Sequence, residues 1–263
     1  MSHRIHPSAV VHGSVEMDDD VEVGPYCVVG EGVSLGRGTR LLSHCVIEGP
    51  TRIGERNTIH PFAVLGAPPQ DRGYRGEPTR LVLGDDNEIR EHVTIHRGTV
   101  KGGGVTRVGS STLIMVGAHV AHDVAVEDRV ILTNGTLLGG HVRIGTWVVT
   151  GGHVAVAPFA RIGESAFLAG GALVERDVPP FVIASGDRAR VRALNRVGLE
   201  RRGIPEASRA ALKQAFRILY VQGAPLAAAI ESAAVACGTD PWVARMVAFL
   251  RESQARAQGA SQR

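Results

Sequence analysis

Aromatic side chains are scarce in this chain: two Trp, three Tyr and six Phe make up 4% of 263 residues. That scarcity argues against a core built around large rings and favours a thin interior of branched aliphatic side chains. Cysteine is rarer still. Three of them, an odd number, argue against a disulfide framework, and Cys27 and Cys45, 18 positions apart, read as small reduced core residues. No apolar run reaches the ~18 residues of a membrane-spanning helix, and the opening Met-Ser-His-Arg-Ile-His-Pro lacks the apolar stretch of a signal peptide. A cytoplasmic protein is therefore expected. The net charge is only +3. No aromatic residues interleave with the arginines, so nucleic acid is a poor fit as a partner.

What the chain has instead is a period. Val11, Met17, Val23, Val29, Leu35, Leu41, Ile47, Ile53, Ile59 and Leu65 recur every sixth residue. The column resumes at Leu83, Ile89 and Ile95. After a one-residue slip it runs from Val108 to Val174, broken only by Thr150. Six is neither the helical 3.6 nor the strand period of two. It fits a chain that turns a corner every six residues and points one side chain inward per face, a parallel β-helix with three faces to each 18-residue coil. Glycine often follows the inward residue, as at Gly24, Gly54, Gly84, Gly139 and Gly163, and positive φ is expected there.

The repeats should span about Ile5 to Val178, with Asp177-Val178-Pro179-Pro180 as their stop, since neither proline can donate to a ladder. Counting the segment that follows, residues 1–185 form the β-helix and 186–263 an α-helical C-terminal domain. Two loops interrupt the helix, at about 66–81 and 97–107. Leu65 and Leu83 are 18 apart, so the register survives the first, whereas the second causes the slip. Long loops on a rigid scaffold commonly carry binding residues. In the tail, helices are expected within Ala189–Arg202, after Pro205, over Pro225–Ala236, and from Asp240-Pro241 to about Ala255, with a frayed end from Arg256 to Arg263.

The 18-residue coil turns the sequence into a map. Adding 18 to His122 gives Gly140, and adding 18 to Asp123 gives His141, so these four should form a patch on adjacent coils, with both histidines pointing outward. A histidine beside a carboxylate can serve as a general base, and a glycine amide one coil away can donate to an oxyanion. Acyl transfer to a hydroxyl needs both and no covalent intermediate. No Gly-x-Ser-x-Gly elbow is present. A solenoid wall has no deep pocket, which favours a symmetric oligomer with sites between subunits. Six arginines within fifteen positions, Arg188 to Arg202, suit either a solvated face or a compact anion such as a phosphorylated metabolite.

Several segments are then recognisable in order: Ile95-His96-Arg97-Gly98-Thr99, Ala118-His119-Val120-Ala121-His122-Asp123, Gly139-Gly140-His141-Val142 and Arg201-Arg202-Gly203. With Gln70-Asp71 and Gly76-Glu77-Pro78-Thr79-Arg80 in the first loop, the chain resembles the acyl-[acyl-carrier-protein]–UDP-N-acetylglucosamine O-acyltransferases of lipid A biosynthesis over essentially its whole length. That resemblance implies a left-handed parallel β-helix assembled as a homotrimer. It implies His122 as the base, Asp123 as its orienting partner and the Gly140 amide as oxyanion donor. Gln70, Asp71, His119 and His141 would line the sugar and acyl site, and Asn195, Arg201 and Arg202 would contact the nucleotide. Gly170 would gauge acyl length, leaving room for a long chain. UDP-N-acetylglucosamine and acyl carrier protein are the implied partners, the latter's phosphopantetheine thioester serving as co-substrate, with no further cofactor and no metal. The sequence departs from the family pattern at Gly73, where a lysine is usual, at Ala157-Pro158, where His-Gln is common, and at Val197, where an acidic residue is. These departures bear on acyl length, on sugar affinity and on whether the acceptor is a 3-hydroxyl or a 3-amine. The scaffold also admits a zinc enzyme of the β-helical carbonic anhydrase type, a coenzyme A-dependent transferase, or a non-catalytic scaffold.

Overall fold

In the computed structural model, which describes residues 3–260, the repeats wind into a β-helix of three parallel sheets. The first sheet has 11 strands, from Arg4–Ile5 to Arg190–Leu194; the second has 9, from Val10–Val11 to Leu173–Val174; the third has 8, from Glu16–Met17 to Arg161–Ile162. Val11 pairs with Val29 and Val29 with Ile47, one 18-residue coil at each step. From Val23 to Val174 every residue of the six-residue column is at most 3% exposed. Each buried Val, Ile or Leu contributes on the order of 1.5–3 kcal/mol. Thr150 belongs in this column because its hydroxyl is satisfied, 2.8 Å from Thr136 Oγ1 and 2.9 Å from the Thr133 amide that donates to it. Cys27 and Cys45 are buried and unbridged.

Gly24, Gly54, Gly84, Gly139 and Gly163 do not have positive φ. That conformation falls two positions later, mostly at non-glycine corners such as Tyr26, Arg56, Asp86, His141 and Trp147. Glycine is needed earlier because the next coil passes too close: a Cβ on Gly84 would lie 2.8 Å from the Gly109 carbonyl carbon, and one on Gly139 would lie 2.8 Å from the Pro158 ring.

The first loop also differs from expectation. Leu83 does not stack on Leu65. It pairs with Ile53, 30 residues back where 18 is usual, so the loop inserts twelve residues (30 − 18) at one corner. Leu83 pairs in turn with Val108, 25 residues on, so the second loop inserts seven (25 − 18) at the same corner of the next coil. Both therefore emerge from the edge between the second and third sheets.

Two boundaries move as well. The helix of sheets does not stop at Val178: Val182–Ser185 adds a further parallel strand, Ile183 against Phe167, with the two prolines at the corner before it. The helix expected within Ala189–Arg202 is confined to Arg196–Arg201, and Arg190–Leu194 before it form an antiparallel strand on Val182–Ser185. Their alternation of arginine with Val191, Ala193 and Leu194 is a strand period. Four helices follow: α1 (Arg196–Arg201), α2 (Glu206–Tyr220), α3 (Leu226–Cys237) and α4 (Pro241–Ala260). Asp240 caps α4 as expected, its Oδ1 accepting the Trp242 and Val243 amides at 2.9 and 3.1 Å. The expected fraying from Arg256 is replaced by helix to Ala260, with Arg256 donating to the Phe159 carbonyl at 3.1 Å. Residues 261–263 lie outside the described residues.

Candidate active site

The edge between the second and third sheets collects the chemistry. Along it, on successive coils, come the first loop, the second loop, the corner Ala121–Val124, the corner Gly139–Val142 and the corner containing Phe159. His141 donates its amide to the His122 carbonyl at 3.1 Å, confirming the one-coil offset. His122 and His141 rings meet edge to face with centroids 5.2 Å apart, and Phe159 stacks on His141 at 4.4 Å.

Asp123 is not part of an outward patch. Its side chain is 0% exposed, covered by the second loop. Oδ2 lies 2.8 Å from His122 Nδ1 and 3.7 Å from His141 Nε2. A carboxylate only accepts, so His122 carries its proton on Nδ1, and Nε2 presents a lone pair. Gly140 lies against that side of the ring. A Cβ there would sit 2.7 Å from His122 Cε1 and 2.9 Å from Nε2. Among the described residues no protein acceptor takes the Gly140 amide.

Other expected residues gather around this pair. His119 lies on the second sheet, its Nδ1 2.8 Å from Thr94 Oγ1 and its ring 5.3 Å from that of His96. Burial, aided by His96 and His122, lowers its pKa, so it stays neutral at pH 7. Asp71 accepts the Gly73 amide at 2.7 Å. That bond, with the Lys101 ammonium nearby, holds its carboxyl below the usual range. Gln70 is exposed on the same loop. Lys101, Phe159 and Thr99 belong to this edge and were not singled out by the sequence. A groove of about 960 Å³ leads away from Lys101 and His141, between the third sheet and α4, past Arg143, Phe159 and Phe249.

Four expected residues lie elsewhere. Gly170 is exposed at the corner between the first and second sheets. Asn195 caps α1 through Gly198 and donates to the Ser165 carbonyl at 2.9 Å, on the edge between the third and first sheets. Arg202 turns inward there, donating to Glu164 and Ser165 at 2.7 Å each, with its guanidinium 4.7 Å from the Trp242 ring. Arg201 is exposed in the last turn of α1. One chain thus holds the histidine cluster on one edge and these residues on the other two.

Comparison with known proteins decides the family. The chain is 42% identical over 252 residues to the acyl-[acyl-carrier-protein]–UDP-N-acetylglucosamine O-acyltransferase of Thermodesulfovibrio yellowstonii, covering 96% of this chain and 98% of that protein. The chain belongs to the acyl-[acyl-carrier-protein]–UDP-N-acetylglucosamine O-acyltransferase family. The counterpart from Stutzerimonas stutzeri is 41% identical over 240 residues, covering 91% of this chain and 93% of that one. The family profile described as "Udp N-acetylglucosamine O-acyltransferase; Domain 2" matches residues 177–259. Among solved structures, the UDP-N-acetylglucosamine O-acyltransferase of Moraxella catarrhalis superposes with a TM-score of 0.91 at 37% identity, covering 95% of this chain and 97% of that one. The enzyme of Bacteroides fragilis gives 0.92 at 33%, with the same coverage of both chains. The acyltransferase fold is therefore the one described above, a β-helix closed by a helical tail, and no helix among the described residues is long and apolar enough to cross a membrane.

Proposed function

We propose that this chain transfers a 3-hydroxyacyl group from acyl carrier protein to the 3-hydroxyl of UDP-N-acetylglucosamine, the first step of lipid A biosynthesis. The observation that carries the reading is His122, fixed by Asp123 and set against Gly140, in a chain 42% identical to a relative named for that reaction. The sugar hydroxyl gives its proton to His122 Nε2 as its oxygen attacks the thioester carbonyl. Charge then moves to the former carbonyl oxygen, which accepts the Gly140 N–H. The C–S bond breaks, and the imidazolium returns the proton to the departing phosphopantetheine sulfur. Asp123 keeps the imidazole in one tautomer through its bond to Nδ1. The groove beside α4 gives a pantetheine-linked thioester room to approach His141.

The deciding experiment is an acyl-transfer assay with UDP-N-acetylglucosamine, its 3-amino analogue and a panel of 3-hydroxyacyl carrier proteins, each run also with the coenzyme A thioester. Turnover only with coenzyme A would sink the carrier-protein reading. His122, Asp123 and His141 place ligand atoms within 4.8 Å of one another, which keeps a zinc enzyme as the second reading. Against it, both Asp123 oxygens are already engaged, by Thr99 and His122. Turnover abolished by a chelator and restored by Zn²⁺ would move the protein to that class.

A homotrimer completes the proposal. The outward column of the second sheet reads Val10, Val28, Val46, Val64, Thr94, His119, Leu137, Ala155, Leu173. Val10, Val28 and Leu137 are 64%, 42% and 49% exposed. The later strands of the first sheet add Leu113, Ile131, Val149, Phe167 and Ile183 outward. The third sheet instead shows Glu16, Ser34, Arg52, Val82, Arg107, Ala125, Arg143 and Arg161. A second sheet that is mostly apolar outward, a first that is apolar in its later strands and a third that is mostly polar suit a threefold ring in which each subunit packs on two neighbours. Light scattering should give three times the 27.8 kDa of the chain; an active monomer would overturn the arrangement. In such a ring Gly170, Asn195 and Arg201 of one subunit serve the histidine edge of the next.

The nucleotide assignment then rests on Arg201, since Arg202 is held by Glu164. Arg201→Ala is expected to raise KM for the UDP-sugar about tenfold or more, from the ~1.5–3 kcal/mol of a charge-assisted bond, with kcat little changed. Weakened carrier-protein binding at unchanged sugar KM would make this surface a protein dock instead.

A further inference from the structure

Nothing in the mechanism so far explains why the second loop folds over Asp123. Thr99 meets both oxygens of that carboxylate. Its amide donates to Oδ1 at 2.7 Å and its hydroxyl to Oδ2 at 2.6 Å, the oxygen that also accepts His122 Nδ1–H. The approach is possible only because the loop carries glycine where it crosses the acid. A Cβ on Gly98 would lie 2.9 Å from Asp123 Oδ1, and one on Gly102 would overlap the carboxyl group itself. Gly103 turns the chain back with φ 92°, and the Gly102 amide returns to Thr99 Oγ1 at 3.2 Å, closing the turn on the threonine. Thr106, on the strand leaving the loop, accepts the Asp123 amide at 2.8 Å. The loop is thus a fitted cover, with one side chain aimed at the acid.

We propose that Thr99 is a positioning residue of the acyl transfer, the outer member of a Thr99–Asp123–His122 chain, and that the second loop exists to deliver it; the proposal rests on the reading of His122 as base. Two effects follow. The paired donors fix the carboxylate plane, so Oδ2 stays in line with His122 and the proton stays on Nδ1. The Thr99 hydroxyl also takes part of the charge of Oδ2, so the carboxylate draws a proton onto the imidazole less strongly.

The test is the pair Thr99→Val and Thr99→Ser; Thr99→Ala removes the same hydroxyl should the Val variant not accumulate folded. Loss of the hydroxyl is expected to lower kcat about tenfold, with KM for both substrates within twofold. The acid limb of log kcat/KM against pH should move upward, because an oxygen relieved of one donor favours the imidazolium. Thr99→Ser should restore both kcat and the limb. A merely structural role would lower the folded fraction and leave the limb where it is, and that result overturns the proposal, as does a Val variant within twofold of the parent. A readout without turnover separates this from failure of the proposed function: the downfield proton resonance of His122 Nδ1–H, identified by its absence in His122→Ala, should shift in Thr99→Val and return in Thr99→Ser. An unmoved resonance would also overturn it.

Discussion

His122→Ala is expected to lower kcat by about 10²- to 10⁴-fold, the range for a positioned general base, while the oligomeric state and thermal unfolding stay close to those of the parent. The expectation follows from what the ring does and does not hold up. The His122 side chain is 16% exposed and, among the described residues, bonds to no side chain other than Asp123. The Asp123 carboxylate keeps the Thr99 amide and hydroxyl as donors when the imidazole goes, so it is not orphaned and folding has little to lose. The sugar should still bind, because the base contributes mainly to the transition state, so kcat and kcat/KM should fall together. A variant within a few-fold of the parent would remove His122 from the role. The histidine next in line, His141, does not substitute for it. His141 Nε2 is 3.7 Å from the acid and its ring is stacked on Phe159, so it lacks the tautomer lock that frees Nε2 of His122. His141→Ala should therefore cost less than His122→Ala, and the opposite order would exchange their roles.

How much of this was legible in the sequence follows from one property of the repeat. Each inward residue must be buried on its own, independently of distant neighbours, so the six-residue column shows directly in the residue types from Val11 to Val174. Where no insertion intervenes, adding 18 gives a true neighbour, and Asp123 and His141 were found that way. The arithmetic fails across an insertion. The 18 residues from Leu65 to Leu83 are one face plus twelve inserted residues, not a full coil, and side-chain character alone does not tell the two apart. Thr99 escaped notice for the same reason: it meets Asp123 across 24 positions spanning the second loop, where one coil takes 25 residues and adding 18 does not lead to a neighbour. Its flanking Gly98 and Gly102 were a usable signal, since two glycines bracketing a threonine in a loop mark a close approach. The strand Arg190–Leu194 was missed because arginine content was weighed above its period of two. Left-handedness and the nucleotide contacts came through resemblance, and neither could have come from the column. The lysine that the family pattern leads one to expect at Gly73 is absent, yet a Cβ there would lie 3.4 Å from Lys101 Nζ. A cation from the second loop occupies the space beside the first, a relation between two insertions that periodicity does not encode.

The second large effect is expected at Gly140, where Gly140→Ala should reduce kcat by about 10²-fold, the scale of losing one positioned catalytic contact. The glycine is not there for its backbone. Its φ lies outside the left-handed region, unlike that of its neighbour His141 at 63°, so alanine costs no strain and the coil should form normally. What alanine adds is one methyl, placed 2.7 Å from His122 Cε1 and 2.9 Å from Nε2, inside van der Waals contact. The ring cannot simply swing aside, because Asp123 holds Nδ1 and His141 packs against its face edge-on. It must tilt away from the place it now takes beside Gly140. A displacement of this kind separates base from oxyanion donor without deleting either group. Gly139→Ala offers the comparison, since its methyl would instead meet the Pro158 ring at 2.8 Å, away from the imidazole. That variant should lose stability, by overpacking worth about 1–3 kcal/mol, and keep kcat in the fraction that folds. If Gly140→Ala retained kcat within a few-fold while its melting temperature fell, the close approach of Gly140 to His122 would be packing alone, and the oxyanion would have to find its donor elsewhere on this edge.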